Sequence, residues 1–146
     1  MKLEFKKLNR DAIIPSYGRD GDSGFDFSSV ISRRITIQPG ETMLIPTGLS
    51  VNIPENYEIQ IRPRSGLTLN TKLRIANSPG TIDSNFLGEI CIIVDNISQT
   101  QTEYINFGDR IAQGVLCKVT KANIEEVEII TKETNRGTNG FGSSGV

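Results

Sequence analysis

The chain has 146 residues, 16 Lys+Arg against 17 Asp+Glu, a formal net charge of -1 and 36% hydrophobic residues. That length fits one domain, and the charge balance provides neither a basic field to hold nucleic acid nor a long acidic tail. Histidine is absent, which excludes Ser-His-Asp and Cys-His nucleophile systems and any metal site built on imidazole.

A lean core beside 14 Gly predicts many short strands or burial shared between subunits. Apolar and polar residues alternate through Leu3 and Phe5, Ile35 and Ile37, Leu49–Ile53 and Tyr57–Ile61, which is the period of a half-buried strand. Turn residues at Pro39-Gly40, Pro54, Ser78-Pro-Gly80 and Gly108-Asp109 separate these runs. The one short helical candidate is 65–71, with Ser65 as its cap. Ile90–Val94 and Ile111–Val119 are more continuously apolar, as strands buried on both faces would be. The pattern predicts an all-β, jelly-roll-like barrel.

Cys91 and Cys117 lie in apolar strand-like stretches and are expected to be buried thiols in a reducing compartment. The longest apolar run, Ile90–Val94, is too short for a membrane span or a signal-peptide core. An intracellular soluble protein is therefore expected. From Thr131 onward the aliphatic residues stop until Val146, so 1–130 is expected to form the barrel and 131–146 a flexible arm.

Several local signals admit two readings. Asp26 lies between Phe25 and Phe27, and Asp83 between Ile82 and Ser84. Each is either an exposed strand or turn residue, or a general base or hard-cation ligand. Arg64-Ser65-Gly66 is either a phosphate-binding turn or a structural one. Gly140-Phe-Gly-Ser-Ser-Gly145 has the glycine spacing of a dinucleotide fingerprint but no helix following it. Its backbone N–H groups, with Arg136, Ser143, Ser144 and Phe141, suit either a loose tail or a clamp on phosphate and a flat base.

Five segments occur in order: Asp22-Ser-Gly-Phe-Asp-Phe27, Arg64-Ser-Gly-Leu67, Asn77-Ser-Pro-Gly-Thr-Ile-Asp-Ser84 running to Gly88-Glu89, Gly108-Asp-Arg-Ile-Ala-Gln113, and Arg136-Gly-Thr-Asn-Gly-Phe-Gly-Ser-Ser-Gly145. Together they resemble the five motifs of the trimeric dUTPase family at family-like spacing. The resemblance implies hydrolysis of dUTP to dUMP and pyrophosphate with Mg²⁺, by a homotrimer whose three active sites are each built from all three subunits.

By that resemblance Asp83 is the general base that activates water for attack on the α-phosphorus, and Asp26 holds Mg²⁺ through water. Arg64, Ser65 and Gly66 bind phosphate, Gln113 faces the α-phosphate, and Arg136 with Ser143 and Ser144 holds the γ-phosphate. Asn77, Gly80, Thr81 and Ile82 line the turn that reads uracil. Phe86 packs on the deoxyribose, and Phe141 stacks on the base once the arm closes. Asp109 and Arg110 brace the fold or an interface. This chain departs from the commonest pattern with Phe86 for Tyr, Asn85 for Asp, Leu87 for Arg, Gly114 for a large aliphatic residue, Asn139 for Gly and Ser144 for Thr. The rival readings are a dCTP deaminase of the same fold and a catalytically silent, nucleotide-dependent regulator.

Overall fold

The structure is a computed structural model, and it describes residues 1–140. In chain order the elements are β1 (Glu4–Lys7), β2 (Phe25–Ser28), β3 (Ile35–Ile37), β4 (Thr42–Pro46), β5 (Leu49–Asn52), β6 (Tyr57–Arg62), α1 (Ser65–Asn70), β7 (Leu73–Ile75), β8 (Gly80–Asp83), β9 (Cys91–Asn96), β10 (Glu103–Ile105) and β11 (Arg110–Lys118). The strands are short and the pairings antiparallel. One sheet has the order β2-β11-β6-β8, a second β4-β9-β7, and β1-β5 and β10-β3 are two-stranded. Sequence neighbours are seldom sheet neighbours, as in a jelly roll, and the all-β expectation holds.

The alternation works as the period of two requires. Along β2, Phe25 and Phe27 turn inward and Asp26 outward; along β6, Ile59 and Ile61 turn inward and Glu58, Gln60 and Arg62 outward. The inward residues join Ile45, Ile75, Ile92, Val94, Ile105 and Ile111 in one core. Phe5, Tyr17, Phe25 and Phe27 meet edge to face, with ring centroids 5.6–6.3 Å apart, an arrangement that the ring quadrupoles favour. The buried polar side chains tie loops to this core. Asn96 donates to the Ile37 and Gln101 carbonyls at 3.0 and 2.7 Å, and Thr47 donates to the Ile90 carbonyl at 2.6 Å.

Three details differ from the sequence expectation. The first concerns β9 and β11, which are buried on one face only. Ile92 and Val94 are enclosed while Cys91 and Ile93 are half-buried, and Leu44, which pairs with Ile93, is 61% exposed. The second concerns the cysteines, which are half-buried rather than enclosed. Burial still pushes the Cys91 thiol above its ordinary value, and the Glu89 carboxylate adds to the shift. The third concerns α1, which has Arg64 in extended conformation at its N-cap with no side-chain cap bond, so Ser65 is its first residue.

Past β11 the chain leaves the barrel. Ile124, Val127, Ile129 and Ile130 stand exposed, Ile124 at 94%. Among the described residues, no helix is long and apolar enough to cross a membrane.

Candidate active site

The outward residues at one end of the four-stranded sheet converge on a depression of about 480 Å³. Asp26, Arg64, Ser65, Gly66, Arg110 and Gln113 line it, with Gly18–Arg19 and Asp22–Gly24 forming the facing wall. The register explains the meeting. Gln113 on β11 pairs with Asp26 on β2 and with Arg62 on β6, so residues remote in sequence share one row of the sheet.

Asp26 organises the row. Its Oδ1 accepts from Arg64 Nε at 2.7 Å and its Oδ2 from Arg110 Nη1 at 3.1 Å. Arg64 Nη1 donates in turn to the Arg110 carbonyl at 3.2 Å. The Arg64 and Asp26 side chains are only about a quarter exposed, at 24% and 27%, so this pair is screened less than a surface ion pair. Arg64 is thus held along one edge, and its remaining N–H groups stay free for a ligand among the described residues.

Gln113 Nε2 donates to the Pro63 carbonyl at 2.8 Å, which fixes the turn leading into Arg64. Gly24 abuts the Gln113 side chain so closely that any Cβ would collide with its amide oxygen. The Gly108-Asp109 turn sets the start of β11. Gly108 has φ +80°, which favours glycine. The Asp109 carboxylate accepts from the Asn106 N–H at 2.7 Å, and the Asp109 carbonyl accepts from the Ser29 N–H at 2.9 Å. Asp109 therefore braces the fold, and Arg110 braces Asp26 from inside the depression.

The segment Asn77–Phe86 lies elsewhere. Gly80 is buried, and a Cβ there would stand 3.1 Å from Asn77 Nδ2 and 3.3 Å from Ile61 Cβ, so glycine lets the Asn77 amide lie against the strand. Thr81 and Asp83 are exposed and Ile82 is half-buried. The Phe86 N–H closes a turn on the Asp83 carbonyl at 3.1 Å, and the Phe86 ring, 42% exposed, lies over Gly88.

Asp83 pairs with Glu58, which pairs with Cys117, four residues along β11 from Gln113. At about 3.4 Å per residue and about 4.8 Å per strand, Asp83 lies ~14 Å along and ~14 Å across the sheet from Asp26. It borders a separate depression with Glu55, Glu58 and Lys121.

Arg136 occupies an exposed turn beyond the barrel, where its Nε donates to the Asn139 carbonyl at 2.8 Å. Phe141, Ser143 and Ser144 lie outside the described residues. Ser23 and Gly24 fall within the first motif segment but have no role assigned from the sequence, and the wall residues Gly18 and Arg19 carry no sequence signal. Only the strand register and the Tyr17–Phe25 bridge reveal them.

The donor set around Asp26 fits a hydrated divalent cation rather than a caged one. Among the described residues no cluster of three or more acidic or thiol groups could ligate a metal directly. A carboxylate has about four acceptor sites, and two guanidinium contacts leave room for metal-bound water, which suits Mg²⁺ and its tightly kept waters.

Fold and depression define an all-β barrel with an arginine-lined depression beside an anchored acid. The dUTPase family profile matches residues 10–145, and the chain belongs to the dUTPase family. It is 43% identical over 146 residues to the deoxyuridine 5'-triphosphate nucleotidohydrolase of Helicobacter pylori, covering 100% of this chain and 98% of the relative. It is 47% identical over 145 residues to the enzyme of that name from Nautilia profundicola, with 99% of each chain covered.

Among solved structures, a mutant dUTPase of Staphylococcus bacteriophage 80alpha with dUpNHpp superposes with TM-score 0.89 at 27% identity, covering 99% of each chain. A mutant dUTPase from a Staphylococcus aureus phage, described with a structural Mg(II) ion, superposes with TM-score 0.81 at 25% identity. That match covers 90% of this chain and 100% of the phage chain.

Proposed function

We propose that the chain hydrolyses dUTP to dUMP and pyrophosphate, at sites each assembled from more than one copy in a homotrimer. The observation that carries this reading is the separation of Asp83 from the Asp26–Arg64 depression. A general base must lie within about 3 Å of the proton it takes, or one water away. Within one chain Asp83 cannot reach a phosphate held at Arg64, whereas Asp83 of a second copy can. The half-covered faces of β9 and β11 support association, because a lean core gains by burying them against another copy.

At such a site Arg64, Ser65 and Gly66 hold the triphosphate and Gln113 meets its α-phosphate. The exposed edge around Asn77, Gly80, Thr81 and Ile82 of the neighbouring copy presents backbone groups that pair with uracil's O4 and N3–H. Cytosine inverts that donor–acceptor pattern and is refused because like groups would face each other. The Phe86 ring packs on deoxyribose and leaves no room for a 2′-hydroxyl.

Asp83 takes a proton from water as the water oxygen bonds to the α-phosphorus. The bond from that phosphorus to the bridging oxygen breaks, and pyrophosphate leaves with its electron pair. Positioning and charge stabilisation supply most of the acceleration in such transfers, so the lack of histidine is no obstacle. Asp26 would hold Mg²⁺ through water, and the ion, when bound, neutralises charge on the triphosphate. Arg136, Ser143, Ser144 and Phe141, on the arm 131–146, close over the γ-phosphate and the base and exclude water.

The test is pyrophosphate release from dUTP, dCTP, dTTP and UTP, each with Mg²⁺ and with chelator. Release from dUTP alone, abolished by the chelator, is expected. Binding of dUTP without release would overturn the enzymatic reading, and ammonia from dCTP would assign a deaminase instead.

A further inference from the structure

The depression carries one guanidinium that no motif accounts for. Three arginines line it, Arg19, Arg64 and Arg110, against two carboxylates, Asp22 and Asp26. Asp26 is shared between Arg64 and Arg110. Asp22 faces its own turn, where its Oδ2 accepts from the Arg19 backbone N–H at 2.8 Å and its N–H donates to the Arg19 carbonyl at 3.2 Å. The Arg19 side chain makes no ion pair or hydrogen bond among the described residues. The depression therefore holds an excess positive charge in a chain whose net charge is -1.

Arg19 sits on a pinned loop. Tyr17 bridges Phe25 across its base, and the two rings meet edge to face with centroids 5.6 Å apart. Gly24 seats the loop's far end on Gln113, and Gly21, at φ +89°, supports the bend. The loop thus faces the Arg64-Ser65-Gly66 turn across the depression, and the ordering of its backbone does not depend on the Arg19 guanidinium. A planar guanidinium on this wall suits an anion with several oxygens.

We propose that Arg19 is a specificity-determining residue of the phosphate site, binding the β- and γ-phosphates of the substrate. This rests on the function proposed above and extends it. The loop wall lies across the depression from Arg64-Ser65-Gly66, the turn proposed to hold the triphosphate, so Arg19 discriminates a triphosphate from a chain that ends at the α-phosphate. A pre-placed donor also stabilises the charge that collects on pyrophosphate as it leaves.

Calorimetric titration of the full chain with dUMP, with an α,β-imido analogue of dUTP and with inorganic tripolyphosphate tests this without turnover. Arg19→Gln is expected to weaken the analogue and tripolyphosphate about tenfold, as loss of a charge-assisted hydrogen bond does, and to leave dUMP unchanged. Arg19→Lys should recover part of the loss. Arg33→Gln, which removes an equal charge outside the depression, should alter none of the three.

Equal weakening of all three ligands by Arg19→Gln would overturn the assignment, as would no change, or failure of the native chain to bind tripolyphosphate. If the native chain binds tripolyphosphate through Arg19 yet releases no pyrophosphate from dUTP, the proposed reaction fails while the phosphate site stands.

Discussion

At position 114 an added Cβ would stand 2.7 Å from both the Phe25 and Phe27 rings and 3.0 Å from Ile59 Cγ2. The departure from a large aliphatic residue thus has a packing cause. This chain fills the space beneath β11 with two rings from β2 and needs glycine opposite them. Because Phe25 and Phe27 flank Asp26, the exchange also fixes the strand that carries the acid. Gly114→Val should overpack this point and destabilise the fold by about 1–3 kcal/mol, read as a lower midpoint in thermal unfolding. An unchanged midpoint would mean that the rings move aside freely. Asp26 and Asp83 were legible in the sequence as acids beside apolar neighbours, but their environments were not. Pattern alone does not place Asp26 between two guanidiniums, or Asp83 opposite Glu58. Arg19 left no local signal, because its importance comes from a loop folded against a distant turn.

At the scale of elements, strand periodicity was legible where one face meets the core, as in β3 and β6. It misled at β9 and β11, where a continuous apolar run indicates two buried faces and one chain supplies cover for only one. The cap of α1 was misassigned by one residue because a six-residue helix leans on its neighbours rather than on its own caps. The sequence predicts barrel up to residue 130, whereas Ile124, Val127, Ile129 and Ile130 have no cover among the described residues. Deleting 134–146 should leave the barrel and the proposed trimer intact, since the deleted residues that are described contribute nothing to the buried core, and should cripple dUTP hydrolysis. Light scattering together with pyrophosphate release checks both parts, and a monomer would show that these residues serve assembly instead of closure.

For the whole molecule, linear order conceals what folding brings together. The five motif segments run in order along the whole sequence. The first, second and fourth gather on one row of the sheet, while the third remains at the far end of β8. That geometry supports the proposed shared active site, and subunit mixing tests it most directly. Asp83→Asn and Arg64→Gln are each expected to be at least about a hundredfold slower alone, as loss of a base or a phosphate clamp is. Co-expressed with different tags and purified through both, mixed trimers should recover activity at about one site in three, where an intact Asp83 of one copy meets an intact Arg64 of the next. Mixed trimers as inactive as either parent would place Asp83 and Arg64 of the same chain in one site and contradict the account.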